Sequence, residues 1–187
     1  MRLRRPRGRY NAVGRVSAIT IATPVEPGRL HALRQTLDSL TSDASPFSHI
    51  DQIHVARWVV VESFGGRGRR GPPEDLGGPY LFFLCTFDGT ADQLLRDIAT
   101  TIGRDADAVW EACVDYPGSV DEKAFVGYLR GHEIDTSHFV AGYGDASVAQ
   151  VRQSLRDRSA LIDLATVALT LDSDELRRRF IATFVTR

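Results

Sequence analysis

The chain has 187 residues, of which 43% are hydrophobic and 25% charged, as in an ordinary globular protein of about one domain. This composition excludes a disordered chain, a collagen-like chain and a disulfide-dense mini-protein. The net charge of −1 is uneven, since residues 1–15 contain six arginines and no acid, which leaves −7 on the rest. We therefore predict a basic, disordered tail over 1–16, the one part expected to contact nucleic acid or anionic lipid, and a single domain over 17–187.

The cysteine content and the hydropathy of the sequence indicate in which cellular compartment the protein is expected. Two cysteines, Cys85 and Cys113, cannot form a disulfide framework. The apolar segment 16–25 is interrupted by threonines and a proline, so a strand explains it better than a signal peptide does. No run of 18 apolar residues indicates a membrane span. These features predict a cytoplasmic protein.

The first half of the chain predicts three strands and one helix. In order, these are a strand over 19–25, a helix over 27–41, a strand over 54–61, a flexible Gly/Pro/Arg-rich loop over 64–79 and a strand over 80–87. Leucines at helical spacing and a first-turn proline support the helix. The second and third strands are expected to form a hairpin across the loop.

The second half predicts five helices and one more strand. The box Thr90–Gln93 begins a helix over 91–102, and a short helix around Trp110 follows. Ser119 is expected to cap a helix that ends near Gly131, before a strand over 138–143. Ser147 and Asp172 are expected to cap the last two helices, and the final one occupies 171–187.

This order predicts an α+β fold with a ferredoxin-like split βαβ antiparallel sheet and extra C-terminal helices. The third strand is apolar in both of its rows, so we expect both faces of the sheet to be covered. Helices cover one face. A second copy packed sheet to sheet would cover the other, which predicts a homodimer.

The arrangement over about residues 17–165 resembles the dimeric α+β barrel superfamily, which includes monooxygenases of antibiotic biosynthesis, chlorite dismutases and dye-decolourising (DyP-type) peroxidases. Asp88-Gly89-Thr90 is similar to the Asp-Gly part of the DyP-type signature, and this implies a distal acid role for Asp88. The segments Ser45–Phe47, His54–Trp58 and Phe87–Gly89 also resemble a module found near peroxidase-type domains in bacteria. The resemblance implies a small-molecule-binding or oxidative enzyme, with haem as a candidate cofactor.

Three polar residues of the predicted sheet are candidate catalytic residues: His54, Arg57 and Asp88. Alternation along the strand puts His54 and Arg57 on opposite faces. Arg57 lies in an apolar row, so it is expected either in a buried ion pair across the sheet or the dimer, or in a clamp for an anion or a cofactor propionate. An Asx turn or helix N-cap explains Asp88 without any catalytic role, and this is the explanation we favour from the sequence.

The remaining candidates are cofactor or anion contacts. His138 is a possible haem ligand, whereas His132 is expected to cap the carbonyls of a helix end. Arg67, Arg69 and Arg70 of the loop are possible anion contacts. The histidines and cysteines form no paired zinc motif, and the two cysteines are expected to be small buried hydrophobes.

Two further functions stay open beside the enzyme. The first is a non-catalytic module for dimerisation or partner docking, which requires a filled core and an exposed apolar patch. The second is RRM-like nucleic-acid binding, for which Tyr80 and Phe82 lie on one face of a central strand. An enzyme requires a pocket where His54 or His138 faces Arg57 or Asp88.

Overall fold

The computed structural model describes residues 11–40, 45–62 and 77–185. Its Cα packing divides the chain into two compact units, residues 1–145 and 146–187, which are described separately. In the described part of the chain, the first unit contains the sheet with three α-helices, and the second contains two α-helices. The predicted α+β class is confirmed, and the predicted domain boundaries at 17 and 187 stay a prediction.

The first unit contains a four-stranded antiparallel sheet in the order β1-β2-β4-β3. The strands are β1 (Ala12–Val13), β2 (Val16–Pro24), β3 (Ile53–Val61) and β4 (Tyr80–Asp88). The three long strands are those the sequence predicts, and β3 pairs with β4 as expected. Most of the loop between them, residues 63–76, lies outside the described residues.

The edge strand β1 lies within the segment 1–16 that the sequence predicts to be a basic tail, so this prediction is wrong for residues 12–16. Ala12 pairs with Ser17 and Val13 with Val16, so Gly14 and Arg15 form a two-residue hairpin turn. Gly14 has a φ of +61°, a conformation that favours glycine. A glycine at the first of the two turn residues is typical of such tight hairpins. Residues 1–10 lie outside the described residues.

The predicted strand over 138–143 is wrong, since none of these residues forms a strand in the structure. The chain instead meets the edge of β2 earlier, through one bridge between Ile21 and Glu133. Hydrogen bonds from Ala22 N to His132 O (3.0 Å) and from Ile134 N to Thr20 O (2.8 Å) flank that bridge. The hairpin strand β1 pairs with the other end of β2, which shortens the edge left for a later strand.

One face of the sheet forms the core against the helices α1 (Leu30–Ser39), α2 (Ala91–Trp110) and α3 (Glu122–Gly131). Trp110 of α2 packs edge-on against Trp58 (centroids 5.5 Å apart), Phe83 (5.4 Å) and Phe125 (6.0 Å). Burying these large rings supplies much of the stabilisation of the unit. Among the described residues, this is the face of the sheet that is fully buried. The prediction that helices of the chain cover one face of the sheet is therefore confirmed.

The opposite face, here called the open face, is half-buried or exposed. By register its side chains include Ala18, Thr20, Ala22, Val55, Arg57, Val59, Phe82, Leu84 and Thr86. Val55 is 62% exposed and Val59 39% exposed. This face carries the candidate site.

Helix α2 merges the two helices that the sequence predicts separately. The expected end of the first, Ile102, has non-helical φ and ψ, so it is a kink within one helix. Thr90 caps α2 by accepting a bond from Gln93 N (3.3 Å), as predicted. Asp121 rather than Ser119 caps α3, because Ser119 is bonded to Asp107 of α2 instead.

The second unit is a pair of helices, α4 (Val148–Ala168) and α5 (Ser173–Phe184). The predicted capping box at Ser147 and the predicted cap at Asp172 are both confirmed. Val148 is the sole fully buried residue of α4, and no residue of α5 is fully buried. Among the described residues, no helix is long and apolar enough to cross a membrane.

Candidate functional site

A cleft of about 450 Å³ lies on the open face of the sheet. Strands β2, β3 and β4 form its floor, and the irregular segment 136–139 lines it as well. Its polar lining groups are Arg57, His138 and three threonines, and its apolar ones include Ala18, Val55, Leu84 and Phe139. Mixed linings with a few converging polar groups are typical of small-molecule sites.

Arg57 is the one cationic strand residue in this cleft. Pairing of Arg57 and of Thr20 with Leu84 places all three on one rung of the open face. The side chain is exposed, and it makes no ion pair or hydrogen bond with any described residue. The described sheet therefore offers Arg57 no ion pair, because its rung contains a leucine and a threonine and no acid. An ion pair across a dimer stays a prediction.

His138 lines the same cleft, although it belongs to no strand. It follows the bridge at Glu133, after which the chain leaves the edge of β2 and passes the open face through Thr136, His138 and Phe139. The structure thus places Arg57 and His138 in one cleft. A cleft in which His138 faces Arg57 is one of the arrangements that the sequence analysis requires of an enzyme.

His54 and Asp88 form a second polar pair at the end of β4. The imidazole Nε2 of His54 lies 2.9 Å from Oδ1 of Asp88, and the two side chains are 19% and 22% exposed. A β-bulge between Ile53 and Val55 interrupts the alternation of β3, so His54 does not continue the row of Trp58. Thr90 rather than Asp88 is the N-cap of α2, so the N-cap explanation of Asp88 is wrong, whereas the Asx turn stays a prediction.

The His54–Asp88 pair does not line the cleft. Asp88 lies two residues beyond Thr86 along β4, which at about 3.3 Å per residue is roughly 7 Å. Val55 and Thr86 form the rung between the pair and the Arg57 rung. The site residues therefore fall into two neighbouring groups, one in the cleft and one beside it.

The other candidates have structural roles or lie outside the described residues. His132 Nδ1 lies 2.9 Å from the carbonyl of Tyr128, which agrees with the predicted helix-end role. Burial raises the pKa of the Cys85 thiol strongly and that of Cys113 to about 11, so both stay protonated near neutral pH, as small buried residues do. Arg67, Arg69 and Arg70 lie outside the described residues.

Three cleft residues were missed by sequence reasoning: Thr20, Thr86 and Thr136. For Thr20 and Thr86, the alternation of side chains along the strand is a sequence signal that could have identified them. Thr20 alternates with buried Ile19 and Ile21, and Thr86 alternates with buried Cys85 and Phe87, which places both hydroxyls on the non-core face.

Within the described part of the chain, no group of three or more histidine, cysteine or acidic residues is arranged to hold a metal ion. No protein-family model, curated protein or solved structure matches this chain.

Proposed function

We propose that this protein binds a small organic anion, such as a carboxylate with an apolar body, in the open-face cleft. The observation that carries the proposal is Arg57, a guanidinium in a cleft where no described acid neutralises it. An arginine in such a place is suited to bidentate binding of a carboxylate. The protein is then a ligand-binding or catalytic member of the α+β class.

The rest of the lining supports an organic rather than an inorganic anion. Val55, Leu84 and Phe139 offer apolar surface beside the guanidinium. The hydroxyls of Thr20 and Thr86 can donate hydrogen bonds to the oxygens of the ligand. His138 supplies a second group able to donate a proton or a hydrogen bond to the anion.

Haem is the cofactor that the sequence resemblance implies, and the described residues do not fit its peroxidase arrangement. His138 lines the cleft, but Asp88, which would be the distal acid, lies beside the cleft and is bonded to His54. No step of the proposed function passes through haem. A Soret band that forms on addition of haemin and is lost in His138→Ala would support the hypothesis of a haem-linked enzyme instead.

Calorimetric titration of the full chain with benzoate, and separately with inorganic phosphate, tests the proposal. Benzoate is expected to bind more tightly than phosphate because of the apolar lining. Arg57→Gln is expected to weaken benzoate binding about 10- to 100-fold, and Arg57→Lys to retain part of it. Arg104→Gln, at an exposed arginine of α2, is the control and should bind as the original chain does. Equal binding by Arg57→Gln and the control would refute the proposal.

A non-catalytic dimerisation module is the second candidate, in a ferredoxin-like sheet that pairs face to face as in a dimeric α+β barrel. The exposure of Val55 and Val59 on the open face favours it. Pairing there would also enclose the cleft as the interior of a barrel. Val59→Glu is expected to abolish such a dimer in sedimentation experiments, and an unchanged dimer would exclude this mode of pairing.

A further inference from the structure

Hydrogen-bond donors line the open-face cleft from two opposite sides. Arg57 belongs to β3, which is the edge strand on one side of the sheet. The segment 135–143, here called the strap, reaches the cleft from the side of β2 and contributes His138 to the lining. Two strand spacings separate β3 from β2, so the floor between these two sides is about 10 Å wide.

The strap is fixed at both of its ends on the β2 side of the sheet. Before the strap, Ile134 N donates a hydrogen bond to Thr20 O (2.8 Å). After it, Arg15 N donates a hydrogen bond to Gly144 O (2.7 Å). Gly14 and Gly144 lie so close together that a Cβ on either would overlap the backbone of the opposite segment. These contacts hold the strap in place before a ligand arrives, which lowers the cost of ordering it on binding.

The two sides of the cleft offer donors to an anion, and no described acid lines it. Arg57 supplies a positive charge with paired N–H groups, which suit one carboxylate. On the strap side, His138 supplies an imidazole and Thr136 a hydroxyl. Side chains stand roughly perpendicular to a sheet and hydrogen bonds are about 2.9 Å long, so a single carboxylate at Arg57 leaves the strap donors without an acceptor.

We propose that the ligand of the cleft is a dicarboxylate with its two acid groups at opposite ends of a short apolar body, an inference that rests on the proposed function. One carboxylate binds Arg57, and the other binds His138 and Thr136. The apolar body lies over Leu84 and beside Phe139, which line the cleft between the two ends. His138 is then the residue that selects a dicarboxylate over a monocarboxylate.

Calorimetric titration of the full chain with matched acids tests the proposal. Terephthalate and phthalate carry the same two charges, but terephthalate has them at opposite ends of the ring, and benzoate has one. Terephthalate is expected to bind about tenfold or more tightly than either, because its second carboxylate gains charge-assisted hydrogen bonds. Adipate and hexanoate repeat the comparison with a flexible chain, and adipate is expected to bind more tightly.

Variants of the histidine assign the preference to the strap. His138→Ala is expected to bring the affinities for terephthalate and benzoate to about the same value. His138→Gln, whose amide is still a donor, is expected to retain part of the difference. His31→Ala, at an exposed histidine of α1, is the matched control and should keep the full difference.

Three results would overturn this inference and leave the proposed function intact. The first is equal binding of the dicarboxylate and the monocarboxylate in both pairs, with all four weakened in Arg57→Gln. The second is phthalate binding as tightly as terephthalate, which would show that charge alone determines the preference. The third is a preference for terephthalate that His138→Ala leaves unchanged. Failure of the proposed function gives a different result, because no acid of the series would then depend on Arg57.

Discussion

Asp107→Ala is expected to destabilise the first unit far more than a neighbouring change of the same kind. Asp107 lies in the last turn of α2, where an acidic residue interacts unfavourably with the helix dipole. Its carboxylate nevertheless accepts three hydrogen bonds from the segment that follows: Tyr116 OH (2.6 Å), Ser119 N (2.8 Å) and Ser119 Oγ (2.8 Å). The carboxylate therefore fixes the connection between α2 and α3.

The magnitude follows from those three bonds. A hydrogen bond to a charged group contributes about 1.5–3 kcal/mol, and bonds that share one acceptor are not additive. Removing all three and leaving Ser119 N without its partner should lower the free energy of unfolding by about 3 kcal/mol. Asp105→Ala is the matched control, because Asp105 is exposed on the same helix and bonds to no described residue. That control should change stability by about 0.5 kcal/mol or less.

Urea denaturation followed by circular dichroism measures both variants. A loss of less than about 1 kcal/mol in Asp107→Ala, or an equal loss in both variants, would refute the reasoning. A second readout is the phenol of Tyr116, whose pKa is raised by burial and then by its bond to Asp107. Alkaline titration of Asp107→Ala by ultraviolet absorption should show that pKa lowered towards its ordinary value, whereas Asp105→Ala should leave it unchanged.

Three further predictions concern glycines and alkaline pH. Gly103→Ala should destabilise by about 1–3 kcal/mol, because its Cβ would lie 2.6 Å from Ser119 Oγ, whereas Gly127→Ala, in open space on α3, should stabilise by about 0.5–1 kcal/mol in urea denaturation. Gly14→Ala should lower the melting temperature clearly, since a Cβ at this positive φ would overlap the carbonyl of Gly144; an unchanged value would contradict the close approach. Four groups of the described residues have pKa values raised by burial: Cys85, Cys113, Tyr116 and Tyr128. As the pH rises, these groups ionise in the unfolded chain before they ionise in the folded one. The free energy of unfolding should therefore be flat below about pH 9 and should then fall by about 1.4 kcal/mol per pH unit for each ionising thiol. A flat profile up to about pH 11 would contradict their burial.

The secondary structure was largely predictable because its signals are local. Alternation in β4, the leucine spacing in α1 and the capping box at Ser147 each lie within a few residues of the element they predict. The missed hairpin at Gly14 was also local, but it was obscured by the arginines around it. The predicted strand over 138–143 failed because strand formation depends on a free edge, and β1 and Glu133 already pair with β2.

The candidate site was predictable as a set of residues and not as an arrangement. His54, Arg57, Asp88 and His138 were all singled out from the sequence, yet a single bulge determines that His54 meets Asp88. The lack of a described partner for Arg57 depends on Leu84 and Thr20 being its neighbours across the sheet. The meeting of His54 with Asp88 and the surroundings of Arg57 both depend on neighbouring strands. The sequence pattern of a single strand therefore cannot predict them.

The central claim is that the open-face cleft holds an organic anion beside Arg57, and amide chemical-shift mapping tests it most directly. In uniformly labelled full chain titrated with benzoate, saturable shifts are expected at the rung of Thr20, Leu84 and Arg57 and around His138, and Arg57→Gln should abolish them. Saturable shifts confined to other parts of the chain, or no saturable shift in the cleft, would contradict the claim.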